Sequence, residues 1–370
     1  MPKYLLSGTD ARGRQRTEVV SAPSADEATR RFKGRGYTDV TLHFDEVMGH
    51  LFDPKALKHL TPRDCLALGR VSRAQFLWRT TVKLYASQRW MLLLFAALVA
   101  GRRLLDVPWG VIDTVAVTIL LFPPVLVLLG ELFSPSRRFE RAMAYGAWGR
   151  WAEMLAALKP APRFIPAPQY AFFEAKALAG LGRLDAALDT VRPFADDPGT
   201  PAWLYWGQLA DVFHAAKLGD RAIECGEKAV EHAPDNPTVL IDLAASLLRY
   251  RRDAARARPL LDRARAHEIS DMLAPFVLLT EGVCALEENR PDRARELLDE
   301  SLRRSEPFRH STALMGAAID RIHTYLCLAC AAAGDHATAE DHFRIAEPRL
   351  RAFHTDDLIE RCQAALGHRA

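Results

Sequence analysis

His214 and Asp211 stand three residues apart in a stretch that reads as helix, so they lie nearly one turn from each other, as a general base and its orienting carboxylate would. No nucleophile or oxyanion motif accompanies them, and a solvated helix face has the same spacing. Glu224, Glu227 and Lys228 likewise read as a charged outer face. Cys327 and Cys330 are three apart on an apparent helix, but no second pair or nearby histidine completes a zinc set. His43 and His50 sit in no recognised ligand spacing. FKGRGYTD contains Gly34 and Gly36, yet these glycines follow a helix instead of opening one, which makes them turn residues and not a phosphate loop. The sequence therefore predicts no catalytic residue, no metal site and no cofactor site.

The chain has 370 residues, beyond the size at which one core usually stops growing, so two or three structural units are expected. Its 49 basic and 46 acidic residues leave a formal charge of only +3. That balance gives no concentrated basic face and argues against nucleic acid as a partner. The six cysteines are scattered and form no small-domain disulfide framework. The opening MPKYLLSGTD lacks the apolar core and cleavage pattern of a removable signal peptide.

Residues 1–47 read as a small α/β unit. Lys3–Leu6 and Arg16–Ser21 are predicted strands joined by a turn at Gly8–Gly13. Ser24 caps a helix with Asp26 and Glu27 in its first turn, Gly34 and Gly36 stop it, and Tyr37–Phe44 forms a third strand. This order, with YLLSGTDARGRQ and SADEATRRF, resembles the small amino-terminal modules that precede membrane segments in some bacterial secretion-related proteins. Residues 48–83 follow as a helical connector, with Thr61 as a cap and Pro62 at the first helical position.

Residues 84–133 are expected to form a transmembrane helical hairpin. Val107–Gly130 holds Asp113 as its sole formal charge and would reach roughly 36 Å as a helix, enough to cross a core of about 30 Å. Trp90–Gly101 is too short alone, but extension from Leu84 to Leu105 would make it long enough. Arg89, Arg102 and Arg103 would then reach for the interfaces. Asp113 is expected near an interface, beside Arg102 or Arg103. With Arg79, Lys83 and Arg89 before the pair and Arg137, Arg138 and Arg141 after it, both large ends are expected in the cytoplasm, at the inner membrane.

From 136 to 369 a helical hairpin pattern recurs. Trp203–Asn236 carries Leu209, Ala210, Phe213, Ala222, Ala229 and Pro234, and the preceding unit carries Gly182, Ala187 and Pro198. Ala257 with Ala264, Gly282 with Ala294, and Gly334 with Ala339, Phe343, Ala346 and Pro348 mark later units. The alanines 187, 222, 257, 294 and 339 are separated by 35, 35, 37 and 45 residues, so extra length is expected around Arg304–Ser311. Gly149 and Met154 suggest an upstream partial unit, and Asp356–Leu366 a capping helix. This region resembles the tetratricopeptide repeat family. The resemblance implies an α-helical repeat solenoid whose concave face recognises unidentified proteins or peptides.

In that register Lys176, Asp211, His214, Asp242 and Arg321 project toward the concave face and are the protein-binding candidates. The predicted function is a membrane-anchored scaffold that binds proteins or peptides. The alternatives are an accessory subunit of a membrane transport or secretion complex, and a membrane enzyme whose repeats recruit substrate.

Overall fold

The computed structural model describes the chain from Lys3 to Gly367, apart from residues 12, 14, 23–24, 46–59, 61, 69–72, 88, 106–109, 111–112, 116, 119–120, 123–124, 126, 128, 130–134, 160–164 and 310–312. Ser24, Thr61 and His50 thus lie outside the described residues. Strand β1 (Lys3–Thr9) is central, flanked by β2 (Gln15–Ser21) and β3 (Thr38–Asp45), both antiparallel to it. Helix α1 (Ala25–Gly34) sets Ala28 and Phe32 against Leu6, Val20 and Ala22, a small sealed core. The sequence reading ended the first strand at Leu6 because Gly8 suggested a turn. The strand continues, and the glycine is there for proximity: a Cβ at Gly8 would stand 2.9 Å from the Thr38 carbonyl oxygen.

Helices α2 (Pro62–Ala67), α3 (Arg73–Ser87) and α4 (Arg89–Leu105) follow. Here the expected transmembrane hairpin over 84–133 must be corrected. Among the described residues no helix is long and apolar enough to cross a membrane. Leu84–Ser87, which was to lengthen α4, belongs to α3 instead. The 17 residues of α4 span about 26 Å at 1.5 Å each, short of a core of about 30 Å, and Arg89 and Arg102 are among them. Much of Val107–Gly130 lies outside the described residues. Asp113 accepts from the Gly110 amide at 3.0 Å and pairs with Arg102 at 2.6 Å. The inner-membrane placement, the cytoplasmic orientation of both ends and the membrane-anchored scaffold all rested on that hairpin and fall with it.

The rest of the chain is a solenoid of helical hairpins: α5 (Pro135–Gly146) with α6 (Trp151–Leu158), α7 (Ala167–Gly180) with α8 (Leu184–Val191), and α9 (Ala202–Ala215) with α10 (Gly219–His232). After these come α11 (Pro237–Arg251) with α12 (Ala254–Arg265), α13 (Ala274–Glu287) with α14 (Pro291–Ser305), and α15 (Ala313–Ala332) with α16 (His336–Ala352). A single helix, α17 (Asp356–Ala365), closes the array. The register is written in the turns. Gly149, Gly182, Lys217, Arg252, Asn289 and Gly334 all adopt positive φ, between 54° and 84°, where the first helix of each hairpin ends. In most of them the next amide reaches back five residues to a carbonyl, as Arg183 to Leu178 and Leu218 to Phe213, both at 2.9 Å. Five residues beyond each left-handed residue stand Met154, Ala187, Ala222, Ala257, Ala294 and Ala339, all buried.

An alanine at that point lets the second helix cross the first closely, because a larger side chain would hold the backbones apart. The first hairpin shows the compensation. It has Met154 where the others have alanine, and the facing residue is Gly146, whose Cβ would stand 2.6 Å from the Met154 sulfur. The 45-residue interval is taken up by a short 3₁₀ turn at Glu306–Phe308 and by α15, which runs to 20 residues against 14 in α9.

The superhelix curls far enough that its first hairpin meets its last, and charged groups seal that seam. Arg349 of α16 donates to Asp320 of α15 at 2.6 Å and to the Ala147 carbonyl oxygen beyond α5. It also lies 3.6 Å from Asp64 of α2, with its guanidinium 3.9 Å above the Trp148 ring. The Trp148 indole N–H donates to Asp64 at 2.7 Å, and Arg309 stands 3.8 Å from Asp320. Arg349, Arg309, Asp320 and Asp64 are all buried, two charges of each sign. Burial pushes the Asp320 carboxyl up, against the opposing pull of Arg349 and Arg309. Around this cluster Ala67, Leu68, Ala144, Trp148 and Ala352 form one apolar patch drawn from α2, α5 and α16.

Removing one member of a buried charge set leaves its partner uncompensated, at a cost of roughly 3–5 kcal/mol. Arg349→Met is therefore expected to lower the urea-unfolding free energy by about that much. Arg293→Met, which breaks an exposed pair with Glu296, should cost less than about 1 kcal/mol. Equal losses in the two variants would refute a seam held by Arg349.

Candidate functional site

Sequence reasoning placed five side chains on the concave face, and the structure sets them around one interior. Lys176 of α7 donates to Asp211 of α9 at 3.2 Å. His214 lies one turn further along α9. Asp242 of α11 and Arg321 of α15 are exposed, and among the described residues no hydrogen bond or ion pair engages either side chain. Arg321 lies within electrostatic reach of Asp211, His214 and Asp242, although more than a hundred residues separate it from Asp211. Such convergence requires the first helices of the hairpins to curve round a shared space.

Water reaches Asp211, whose side chain is 50% exposed, while the surrounding helices thin its hydration shell. That crowding pushes its carboxyl up, but Lys176 beside it, with His214 and Arg321 further off, outweighs the effect and holds it below the usual range. Asp242 has no such partner. Loss of hydration, reinforced by the Asp211 charge and only partly opposed by Arg321, raises its carboxyl to about 7. His214 is driven down to about 4, first by burial and then by Arg321, Lys176 and Arg249, against the pull of Asp211.

The hydrogen bonds of His214 decide what it can do. Ser246 Oγ lies 2.8 Å from the Asp242 carbonyl oxygen and 3.2 Å from His214 Nε2. A carbonyl can only accept, so the serine proton points there. His214 Nε2–H then donates to Ser246, leaving Nδ1 to accept from the Tyr250 hydroxyl at 2.8 Å. A serine nucleophile needs the reverse, an imidazole lone pair facing its hydroxyl. With its proton on Nε2 and a neutral ring at ordinary pH, His214 is a structural link between α9 and α11, stacked on Tyr250 with ring centroids 5.3 Å apart. Among the described residues no group of histidine, cysteine and acidic side chains could hold a metal ion.

The interior has a floor that the sequence did not reveal. Near the ends of the first helices, several hairpins converge on the turn between α16 and α17. Lys217 donates to the His354 carbonyl oxygen at 3.1 Å, and Arg249 clamps Asp357 with two bonds of 2.5 and 3.0 Å. Glu287, almost wholly buried, accepts from Arg361 at 2.5 Å and from Arg252 at 2.7 Å. Trp151 meets Phe353 edge-on, and a Cβ on Gly149 would stand 2.7 Å from the Ala352 carbonyl oxygen. Gly149 thus combines positive φ with a contact that excludes any side chain. The result is a cup: Arg321 and Asp242 stand well back from the ends of their helices, Lys176 and Asp211 about one turn from theirs, and Arg249 and Tyr250 in the last turn, against the α16–α17 connection.

No protein-family model matches the sequence, and no curated protein matches it. The resemblance to tetratricopeptide repeats therefore stands at the level of helical-repeat architecture. Among solved structures, the chain is similar to the crystal structure of PilW, described as a widely conserved type IV pilus biogenesis factor. The two share 18% identity with a TM-score of 0.41, over 55% of this chain and 88% of that one. It is also similar to Pseudomonas aeruginosa pilF, at 18% identity and a TM-score of 0.34, over 54% of this chain and 90% of that one. Both likenesses are distant.

The Asp242 shift has a measurable sign. An unfolded aspartate ionises near 4, whereas the folded carboxyl holds its proton to about 7, so between these pH values the folded state binds more protons. The contribution of Asp242 to stability is complete below about pH 4 and is lost as pH rises toward 7. Solvent access keeps the slope shallow. Carbonyl-carbon NMR should show Asp242 titrating near neutrality, lower in Asp211→Asn and higher in Arg321→Met. A midpoint below 5 in the unaltered protein would contradict the crowding described above.

Proposed function

We propose that this chain is a non-catalytic helical-repeat protein that binds a protein or peptide partner in the open part of its cup. The observation that carries the reading is the pair Asp242 and Arg321. Opposite charges in one interior, both open to water and neither bonded among the described residues, leave polar capacity that folding has not used. Lys176, Asp211 and His214 line the same wall. The Lys176–Asp211 pair fixes its shape, and His214 ties that wall to α11 through Ser246 and Tyr250.

A mixed-sign surface suits selection of a polar protein segment, because each unpaired charge rejects a like charge at its own position. A phosphate backbone would instead find Asp211 and Asp242 opposing it. The proton on His214 Nε2 counts against Ser246 as a nucleophile in this wall. An accessory subunit within a secretion or transport assembly is the same binding activity placed in a larger complex, and it needs no membrane helix of its own.

Full-length chain, immobilised and exposed to extract from its source cells, is expected to retain a defined partner. Asp242→Lys and Arg321→Glu should each weaken that partner at least tenfold by interferometry, about 1.4 kcal/mol, while unfolding free energy moves by less than about 0.5 kcal/mol. Unchanged affinity in the double variant would sink the cup as the binding site.

A further inference from the structure

Helix α17 packs on α15 and α16 as the first helix of another hairpin would. Leu358, Ile359 and Cys362 enter the same core as Ile322, Tyr325 and Leu326 of α15, and the Cys362 thiol points at the Thr324 carbonyl oxygen. Its opposite edge is held electrostatically. Asp357 lies in the two-pronged grip of Arg249 on α11, and Arg361 reaches the buried Glu287 on α13. Asp357 and Arg361 are four residues apart and so share one face, one turn from each other. The apolar residues follow the acid at one, two and five positions. An amphipathic helix presents this arrangement when it settles in a groove: an apolar stripe for burial and a pair of charges that fixes direction and register.

The attachment is local at one end. Three residues join α16 to α17, with His354 held at a φ of 50°. Thr355 at the start of α17 makes no side-chain cap bond to that helix and donates instead to the Leu350 carbonyl oxygen. The Asp357 side chain remains 62% exposed although it is clamped, so water reaches the charged edge directly.

We propose that α15 and α16, with Arg249 of α11 and Glu287 of α13 at the edge, form a helix-docking surface which α17 occupies in cis. Its partner in trans is an amphipathic helix with an acid, two apolar residues directly after it and a base one turn on. Arg249 takes the acid and Glu287 the base, so the helix docks in one direction only. Exchange of α17 for such a helix also removes the floor of the cup, because the turn at 353–355 leaves with it. This surface uses different residues from the open wall at Asp242 and Arg321, and the two readings fail separately.

The test uses full-length protein and a fluorescent synthetic peptide of residues 353–367, followed by anisotropy. In the variant Asp357→Lys with Arg361→Glu, the helix in cis is repelled by Arg249 and Glu287 while the surface itself is intact. That variant should bind the peptide at least tenfold more tightly than the unaltered chain. Adding Arg249→Glu and Glu287→Lys restores the pairs in cis with reversed sign and should abolish binding, whereas Asp242→Lys should leave it unchanged. Hydrogen exchange on the unaltered chain supplies a second reading that survives misfolding of the variants: α17 amides should exchange as a unit, faster than those of α15 and α16. Failure of the peptide to bind a variant whose α17 is visibly released overturns the proposal, as does exchange of α17 only together with α15.

Discussion

The guanidinium of Arg349 is the group on which the shape of the solenoid depends. It stands where the last hairpin meets the first, buried, with Asp320 on its own hairpin, Asp64 from α2, the Ala147 carbonyl oxygen and the face of Trp148. A buried arginine is tolerable only when its planar donors meet fixed acceptors, and the planar fork suits several at once in a way a lysine could not. Two acids and Arg309 balance the charge, so the cluster is neutral as a set although each member is costly alone. Helix α2 is thereby more than a connector: it delivers Asp64 to the seam where the first and last hairpins meet.

Closure of that seam sets the electrostatics of the interior. An open solenoid would leave Asp242 in bulk water with an ordinary carboxyl. Curvature brings α15 across from α9 and α11, so Asp242 loses hydration, feels Asp211 and faces Arg321. The same curvature carries the α16–α17 turn into contact with residues from α9, α11 and α13, which explains why a single turn can serve as a floor. The charged interior is thus a property of the closed array and not of any one hairpin.

Much of the repeat was legible in the sequence because it depends on size at a fixed interval. The alanines from 187 to 339 are visible as a spacing, and the crossing geometry that needs them recurs in every hairpin. The same register is what singled out Lys176, Asp211, His214, Asp242 and Arg321, since register sets which face of a helix a residue occupies. Pairing was invisible. Arg349 finds the carbonyl of Ala147 some two hundred residues away, and no local pattern announces it. Arg249 with Asp357 and Glu287 with Arg361 were hidden likewise. The membrane reading failed for a different reason. Hydropathy reports what a run of residues avoids, not how the backbone divides it, and here α3 takes Leu84–Ser87 while α4, from Arg89 to Leu105, is too short, with Trp90, Leu93 and Leu104 exposed on it.

The charged contacts of the interior fall into two kinds, and the difference has mechanical consequences. At the seam the charges are sealed among Trp148, Ala144 and Ala352, so parting them would strand several ions in apolar surroundings. At the floor Asp357 is bathed in water, so a competing carboxylate can approach the largely covered Arg249, and the buried Glu287 keeps Arg252 as a partner when Arg361 leaves. A structure built this way should hold its ring while its floor exchanges, because the energetic penalty for opening is concentrated at Arg349 and thin at Arg249. The opposite distribution, a wet seam and a dry floor, would let the superhelix uncurl before α17 could move, and the interior charges would scatter with it.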